Sequence, residues 1–432
     1  MEGKGSNTRS LGQTIDWQLI GIYLVLVLIG WLNIYASIHS TEPASIFSPD
    51  CRSGKQFIWI MTSLVLAVLI LFVFNPKMWE VLSAPAYVGV LILLVAVIFL
   101  GTEVKGSRSW FSFGAVSFQP AELSKITTSL FLAQVMSQQN FKITNFKDLL
   151  KAALLIGLPM LIIVAESETG SALVYVGFIF VLYREGLTGW IIFFLGMIVL
   201  LFILTIMFSP LVAAIVLVVV AVVSYFVTTK GVRRKTPRRR AITRFALLAL
   251  ISGLVLIESA DFVFDNVLRD HQRQRIEVLL GMKEDPTGVG YNVRQSMIAI
   301  GSGGLIGKGY LNGTQTTYGF VPEQSTDFIF CTVGEEWGFL GCMAVILLYG
   351  WMIYRIIKDA EESREAFTRI YGYCLASCIF MHLFINVSMT IGLMPVIGIP
   401  LPFLSYGGSS MWAFTTMLFI FIALNRQEKK YF

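Results

Sequence analysis

Residues 189–240 read GWIIFFLGMIVLLFILTIMFSPLVAAIVLVVVAVVSYFVTTKGVRRKTPRRR. Two apolar blocks, near 188–208 and 211–228, are each long enough to cross the ~30 Å hydrocarbon core of a bilayer as a helix. A short break at Ser209 and Pro210 separates them, and a dense run of cations follows the second. The same pattern, apolar block then polar break, recurs along the chain. Spans are expected near 17–38, 57–75, 82–101, 120–137, 151–167 and 170–184, then 188–208, 211–228, 241–259, 328–355, 368–394 and 406–424. Those at 120–137 and 328–355 carry Glu122, Lys125, Glu335 and Glu336 in or beside them. The reading is an all-α, polytopic integral membrane bundle of about 12 transmembrane helices.

Composition agrees. The 432 residues are 56% hydrophobic and 14% charged, with a mean hydropathy of +0.73. Soluble domains carry about a quarter charged residues. The N-terminal arm is polar and the first apolar block is too long for a signal-peptide core, so that block is expected to stay as an anchor.

Basic residues set the orientation. They crowd the 229–244 loop and recur at Lys142, Lys147 and Lys151, at Arg355, Lys358, Arg364 and Arg369, and at Arg426, Lys429 and Lys430. With both termini cytoplasmic, all these groups fall on the cytoplasmic side, as the positive-inside rule requires. The net charge of +6 then reports topology and contact with anionic membrane lipid, and argues against nucleic acid as a partner. Five cysteines without CxxC or Cys/His spacing describe neither a metal site nor a disulfide framework. His382 lies within a span, where bonding to a neighbouring helix is the expected role.

On this topology the polar chemistry gathers outside. The stretch 260–326 is external, too long and too apolar for a linker, and such loops are usually functional. Within it, Asp285 to Tyr291 (DPTGVGY) is a turn, and both an ordinary surface turn and a functional one fit those residues. Residues 291–300 have the pattern of a short helix. Glycines at 301, 303, 304, 307 and 309 allow the backbone to approach a ligand, but their spacing is not that of a P-loop. A second external loop, 102–119, sets Lys105 and Arg108 beside aromatic residues, which suits an interfacial anchor or a lipid-phosphate site. Glu122 and Lys125, three apart, share a helical face and either neutralise each other or line a polar groove. Charges deep in a bilayer are costly, so Glu166, Glu168, Asp327, Glu335 and Glu336 are expected to share a wet cavity. The irregular 394–410 segment, MPVIGIPLPFLSYGGSS, must be buried in protein or face water.

Four stretches carry a resemblance. KGSRSWFSFG…FQPAELSKI, HQRQRIEVLL…EDPTGVGYNVRQSMIAIGSGGLIGKG, VPEQSTDFIF…GEEWGFLG and NVSMTIGLMPVIGIPLPFLSYGGSS occur in order and resemble the SEDS family (shape, elongation, division and sporulation). The resemblance implies a peptidoglycan glycosyltransferase in the cytoplasmic membrane that polymerises lipid II on the outer face, releases undecaprenyl pyrophosphate and works with a class B penicillin-binding protein. QRQRIEVLL, and Ile397 where division members carry lysine, point to the elongation branch. Asp285 matches the family's essential aspartate and is the expected catalytic residue, as general base or as ligand to a divalent cation. Lys105, Arg108, Arg294 and Lys308 are candidates to neutralise the pyrophosphate. Glu122, Lys125 and Glu168 are candidates for the groove, and Gln295 and Ser296 complete the substrate-binding set. Two departures stand out. Ser167-Glu168-Thr169-Gly170-Ser171 replaces a Pro-Asp-x-Gly-Thr pattern, and 188–260 supplies two or three spans beyond the family's usual ten. Readings from other classes are a lipid II flippase, for which no internal repeat speaks, and a non-catalytic scaffold for the transpeptidase.

Overall fold

The computed structural model describes residues 15–40, 45–104, 107–113, 116–230, 236–268, 270–280, 282 and 289–431. Asp285 and Lys105 lie outside the described residues. The chain forms two compact units, residues 1–186 with 291–432, and residues 187–290.

The first unit opens with α1 (Trp17–Ile38), α2 (Arg52–Phe72) and α3 (Lys77–Leu100). Asp16 caps α1, accepting from the backbone N–H groups of Gln18 and Leu19 at 2.9 and 3.1 Å. The helices α4 (Pro120–Met136), α5 (Phe146–Ala165), α6 (Thr169–Val174) and α7 (Phe178–Arg184) follow. After residue 290 come the rest of α12 (Val289–Ser302), then α13 (Ile329–Glu362), α14 (Ala366–Thr390) and α15 (Gly408–Tyr431). In α14 and α15, 78% of the apolar window is buried, against 22–28% in α2, α3, α5 and α13. The last two helices are therefore central to this unit, and α2, α3, α5 and α13 turn one face inward and one outward.

All twelve expected segments are helical. Among the described residues, ten helices are long and apolar enough to span a bilayer. The other two are α4, whose 17 residues include Glu122 and Lys125, and the 169–184 segment, which a 3-10 turn at Tyr175–Gly177 breaks in two. One element departs from the all-helical expectation. The 102–119 loop folds as antiparallel strands β1 (Thr102–Val104), β2 (Ser107–Phe113) and β3 (Val116–Phe118), with Thr102 opposite Trp110 and Phe111 opposite Phe118. In β2, Ser107 and Ser109 are buried while Arg108 is exposed, the period-2 alternation of a strand with one covered face.

The glycine run at 301–309 approaches the protein's own backbone. Helix α13 is broken at Gly338, where φ is +64° and ψ −160°. The N–H groups of Phe339 and Leu340 donate instead to the carbonyls of Gly304 and Leu305, at 2.9 and 3.1 Å. The carbonyls of Glu335 and Glu336 accept from Lys308 and Gly309, at 3.0 and 2.9 Å. Four inter-segment bonds thus replace those the kink removes, which an apolar surrounding requires. A Cβ at Gly303 or Gly307 would collide with the carbonyls of Gly334 or Glu336, so the insertion needs glycine there. The 394–410 segment is buried in protein: Ile399, Leu401, Phe403 and Leu404 are all 2% exposed or less.

The second unit contains α8 (Gly189–Met207), α9 (Pro210–Thr229), α10 (Pro237–Phe262), a π turn at Val263–Val267 and α11 (Asp270–Leu279). Proline occupies the first position of α9 and α10, and Ser209 and Thr236 cap them by accepting from Val212 N and Arg239 N. Leu201, Ala213, Leu217 and Ile257 form its core. Most other large side chains on α8, α9 and α10 are exposed apolar groups, as lipid-facing helices require.

Candidate functional site

A buried ion pair of the first unit lies on α4. Its start is set by Pro120 at the first helical position, and Glu122 and Lys125 follow on one face. Lys125 is fully buried, and its Nζ lies 2.7 Å from Glu122 Oε1. The same Nζ lies 3.0 Å from His382 Nε2 on α14 and stands over the Phe414 ring on α15, 5.1 Å from its centroid. Glu122 Oε2 is buried without a hydrogen-bond partner. Glu122 also borders a cavity of about 140 Å³ whose walls include Trp59 from α2, Phe118 from β3, Leu123 from α4 and Trp412 from α15. The pair therefore both neutralises itself and faces a cavity.

A second acidic group lies at the end of α5. Ser167 takes a left-handed φ of 70° and turns the chain between Glu166 and Glu168. Glu168 Oε1 accepts from the hydroxyls of Ser107 and Ser109, at 3.0 and 2.7 Å, so β2 holds it. Glu166 is 3% exposed, and neither carboxyl oxygen has a partner.

The remaining candidates are dispersed. Arg108 is exposed on β2, 3.4 Å from Glu103, and Arg294 is exposed on α12. Gln295 is half-buried. Ser296 is buried and donates to the carbonyl of Thr390 at 2.9 Å, so its hydroxyl is occupied within the fold. Lys308 pairs with Glu335 at 2.7 Å. The carboxylates expected to share one wet cavity have different partners: Glu168 is held by β2, Glu335 by residues 308–316, and Glu336 Oε1 accepts from Leu311 N at 3.2 Å. Among the described residues no group of three or more His, Cys, Asp or Glu side chains is disposed to hold a metal ion.

Sequence reasoning placed His382 against a neighbouring helix but not against Lys125. It passed over Asn386, one helical turn further on, whose Nδ2 donates to the carbonyls of Asp327 and Ile399 at 2.8 and 2.7 Å. A polar i, i+4 pair inside an apolar span was the available signal.

The family model for the FtsW/RodA/SpoVE group, described as cell cycle protein, matches residues 16–236 and 213–430. The chain is 31% identical over 391 residues to the peptidoglycan glycosyltransferase MrdB of Escherichia coli strain K12, covering 90% of this chain and 88% of that one. It is 30% identical over 443 residues to the peptidoglycan glycosyltransferase RodA of Treponema pallidum, covering 96% and 98%. Two solved structures share the fold. One is a chain from a peptidoglycan synthase complex (TM-score 0.69, 24% identity, 96% and 98% covered), the other is RodA of Thermus thermophilus (TM-score 0.60, 23% identity, 96% and 97% covered). With its motifs in order, its helices in place and the family model matched along nearly its whole length, this multi-pass membrane protein belongs to the FtsW/RodA/SpoVE family, the SEDS proteins.

Proposed function

We propose that the chain is a RodA-type peptidoglycan glycosyltransferase that polymerises lipid II into glycan strands at the outer face of the cytoplasmic membrane during elongation. The observation that carries this reading is the Glu122–Lys125 pair. In a family whose curated relatives bear that enzyme name, a buried carboxylate borders a cavity with one oxygen unpartnered.

In the reaction, a sugar hydroxyl of one lipid-linked substrate attacks the anomeric carbon of another. The new glycosidic bond forms as the bond to undecaprenyl pyrophosphate breaks. The hydroxyl is a weak nucleophile and needs a base, which we assign to Asp285. The pyrophosphate leaves without a proton but with its charge neutralised, a role for Lys105, Arg108, Arg294 and Lys308. A divalent cation held by Asp285 would supply the same neutralisation. Gln295 follows Arg294 on α12, and Ser296 fixes that helix to α14 rather than meeting substrate. The 260–326 stretch carries the catalytic residue. The 188–260 region adds spans to a single SEDS-type domain. A class B penicillin-binding protein supplies the crosslinking.

The test is direct. The purified protein, given lipid II and a partner transpeptidase with its crosslinking serine removed, should yield long glycan strands. Strands that appear equally without this chain, or not at all with it, overturn the assignment.

A further inference from the structure

A line of polar contacts runs through the first unit from the cavity to the buried 394–410 segment. Lys125 Nζ lies between Glu122 Oε1 at 2.7 Å and His382 Nε2 at 3.0 Å. The other ring nitrogen, His382 Nδ1, lies 2.9 Å from the carbonyl oxygen of Pro400. An ammonium only donates and a peptide carbonyl only accepts. The imidazole must therefore present a lone pair at Nε2 and a proton at Nδ1. Its two neighbours select one tautomer and hold the ring in one orientation. Phe414 packs edge-on against that ring, with centroids 4.8 Å apart. Asn386, one turn along α14, donates to the preceding carbonyl, that of Ile399, at 2.7 Å. One face of α14 thus grips two consecutive carbonyls of the irregular segment and, through His382, the lysine on α4.

The ammonium of Lys125 is committed within the protein, to a carboxylate, an imidazole and the face of Phe414. Glu122 retains an unused acceptor, the buried Oε2, and Glu122 borders the cavity. We propose that His382 is a positioning residue for the glycosyl transfer. It fixes Lys125, and through Lys125 the orientation and charge of Glu122, while anchoring both to the 394–410 segment at Pro400. The inference rests on the proposed function. It adds that Glu122 meets a hydrogen-bond donor of the substrate and that His382 never touches substrate itself.

Polymerisation kinetics of four variants, with thermal stability read in parallel, test this. Phenylalanine at His382 keeps a ring against Phe414 but loses both polar contacts. His382→Phe should lower kcat about 10- to 100-fold, the rate equivalent of one lost charge-assisted hydrogen bond, with KM changed by less than about threefold. His382→Gln can accept from Lys125 with its carbonyl and donate to Pro400 with its amide, so it should recover most of the loss. In a Glu122→Gln background, His382→Phe should cost less than about twofold more, because the residue it acts through is already altered. Should the phenylalanine variant not fold, His382→Asn, too short to reach Lys125, takes its place with the same expectation. Independent, multiplying losses for the two positions would overturn the inference. So would equal losses for the glutamine and phenylalanine variants, in step with lowered stability. A KM rise without loss of kcat would assign His382 to substrate contact instead. A wild-type protein that makes no glycan removes the functional reading itself, and the inference with it.

Discussion

The ammonium of Lys308 lies 2.7 Å from Oε1 of Glu335, a fully buried carboxylate that it shares with several neutral donors. Glu335 also accepts from the backbone N–H groups of Thr314, Gln315 and Thr316, at 2.7, 2.9 and 2.9 Å. The hydroxyls of Thr314 and Thr316 add two more bonds, at 3.2 and 2.8 Å. A carboxylate reaching out from α13 thus shapes residues 308–316, and Lys308 supplies the cation of the cluster, bonding Thr314 Oγ1 as well as Glu335 Oε1 at 2.7 Å. Lys308→Ala should lower stability by about 1–3 kcal/mol, since the buried carboxylate keeps only its neutral donors. Glu335→Ala should cost several times more, since each stranded donor is worth about 1–3 kcal/mol. Melting of the two purified variants in one detergent checks this, and equal melting temperatures would refute it. If Lys308 also neutralises pyrophosphate, its alanine variant should lose about tenfold or more in kcat while remaining folded.

Asp285→Asn should preserve folding and abolish polymerisation. Asparagine keeps the size and turn-forming habit of aspartate before Pro286 but can neither take a proton nor hold a cation. General-base contributions of about 10²–10⁴ in rate set the expected loss. Glu284→Gln, a charge change one residue away, is the control. Equal losses in both variants would reduce the effect to local charge, and retention of more than about a tenth of the rate would remove Asp285 from the mechanism.

Sidedness is testable by labelling. The native cysteines are all buried, so wild-type background should be low. A membrane-impermeant thiol reagent applied from outside should reach Thr287→Cys and spare Thr236→Cys. The reverse pattern would invert the topology and remove the outward-facing reaction with it.

The helical segments were legible because hydrophobicity is a local property, and a bilayer demands about 20 apolar residues for each crossing. The same local reading marked the spans at 120–137 and 328–355 by their charges, and these are the 17-residue α4 and the helix kinked at Gly338, but it gave no sign of the 3-10 break within 169–184. The β2 strand was missed although Ser107, Arg108 and Ser109 alternate, because aromatic neighbours also fit an interfacial anchor. Glycines 303 and 307 announced a close approach, but not what is approached, since the kink at Gly338 lies more than thirty residues away.

The sequence by itself determined a multi-pass helical protein, its family, and the placing of Glu122 and Lys125 on one helical face, which three-residue spacing on a helix dictates. Tertiary structure alone decided that Lys125 also meets His382, 257 positions later, and that Pro400 selects the tautomer of that ring. It decided too that Glu335 is saturated by residues 308–316 while Glu166 is left without a partner. The reason is physical. Which residues are apolar, and at what period, is written along the chain, but the partner of a buried polar atom is whatever the packing of distant helices brings within about 3 Å.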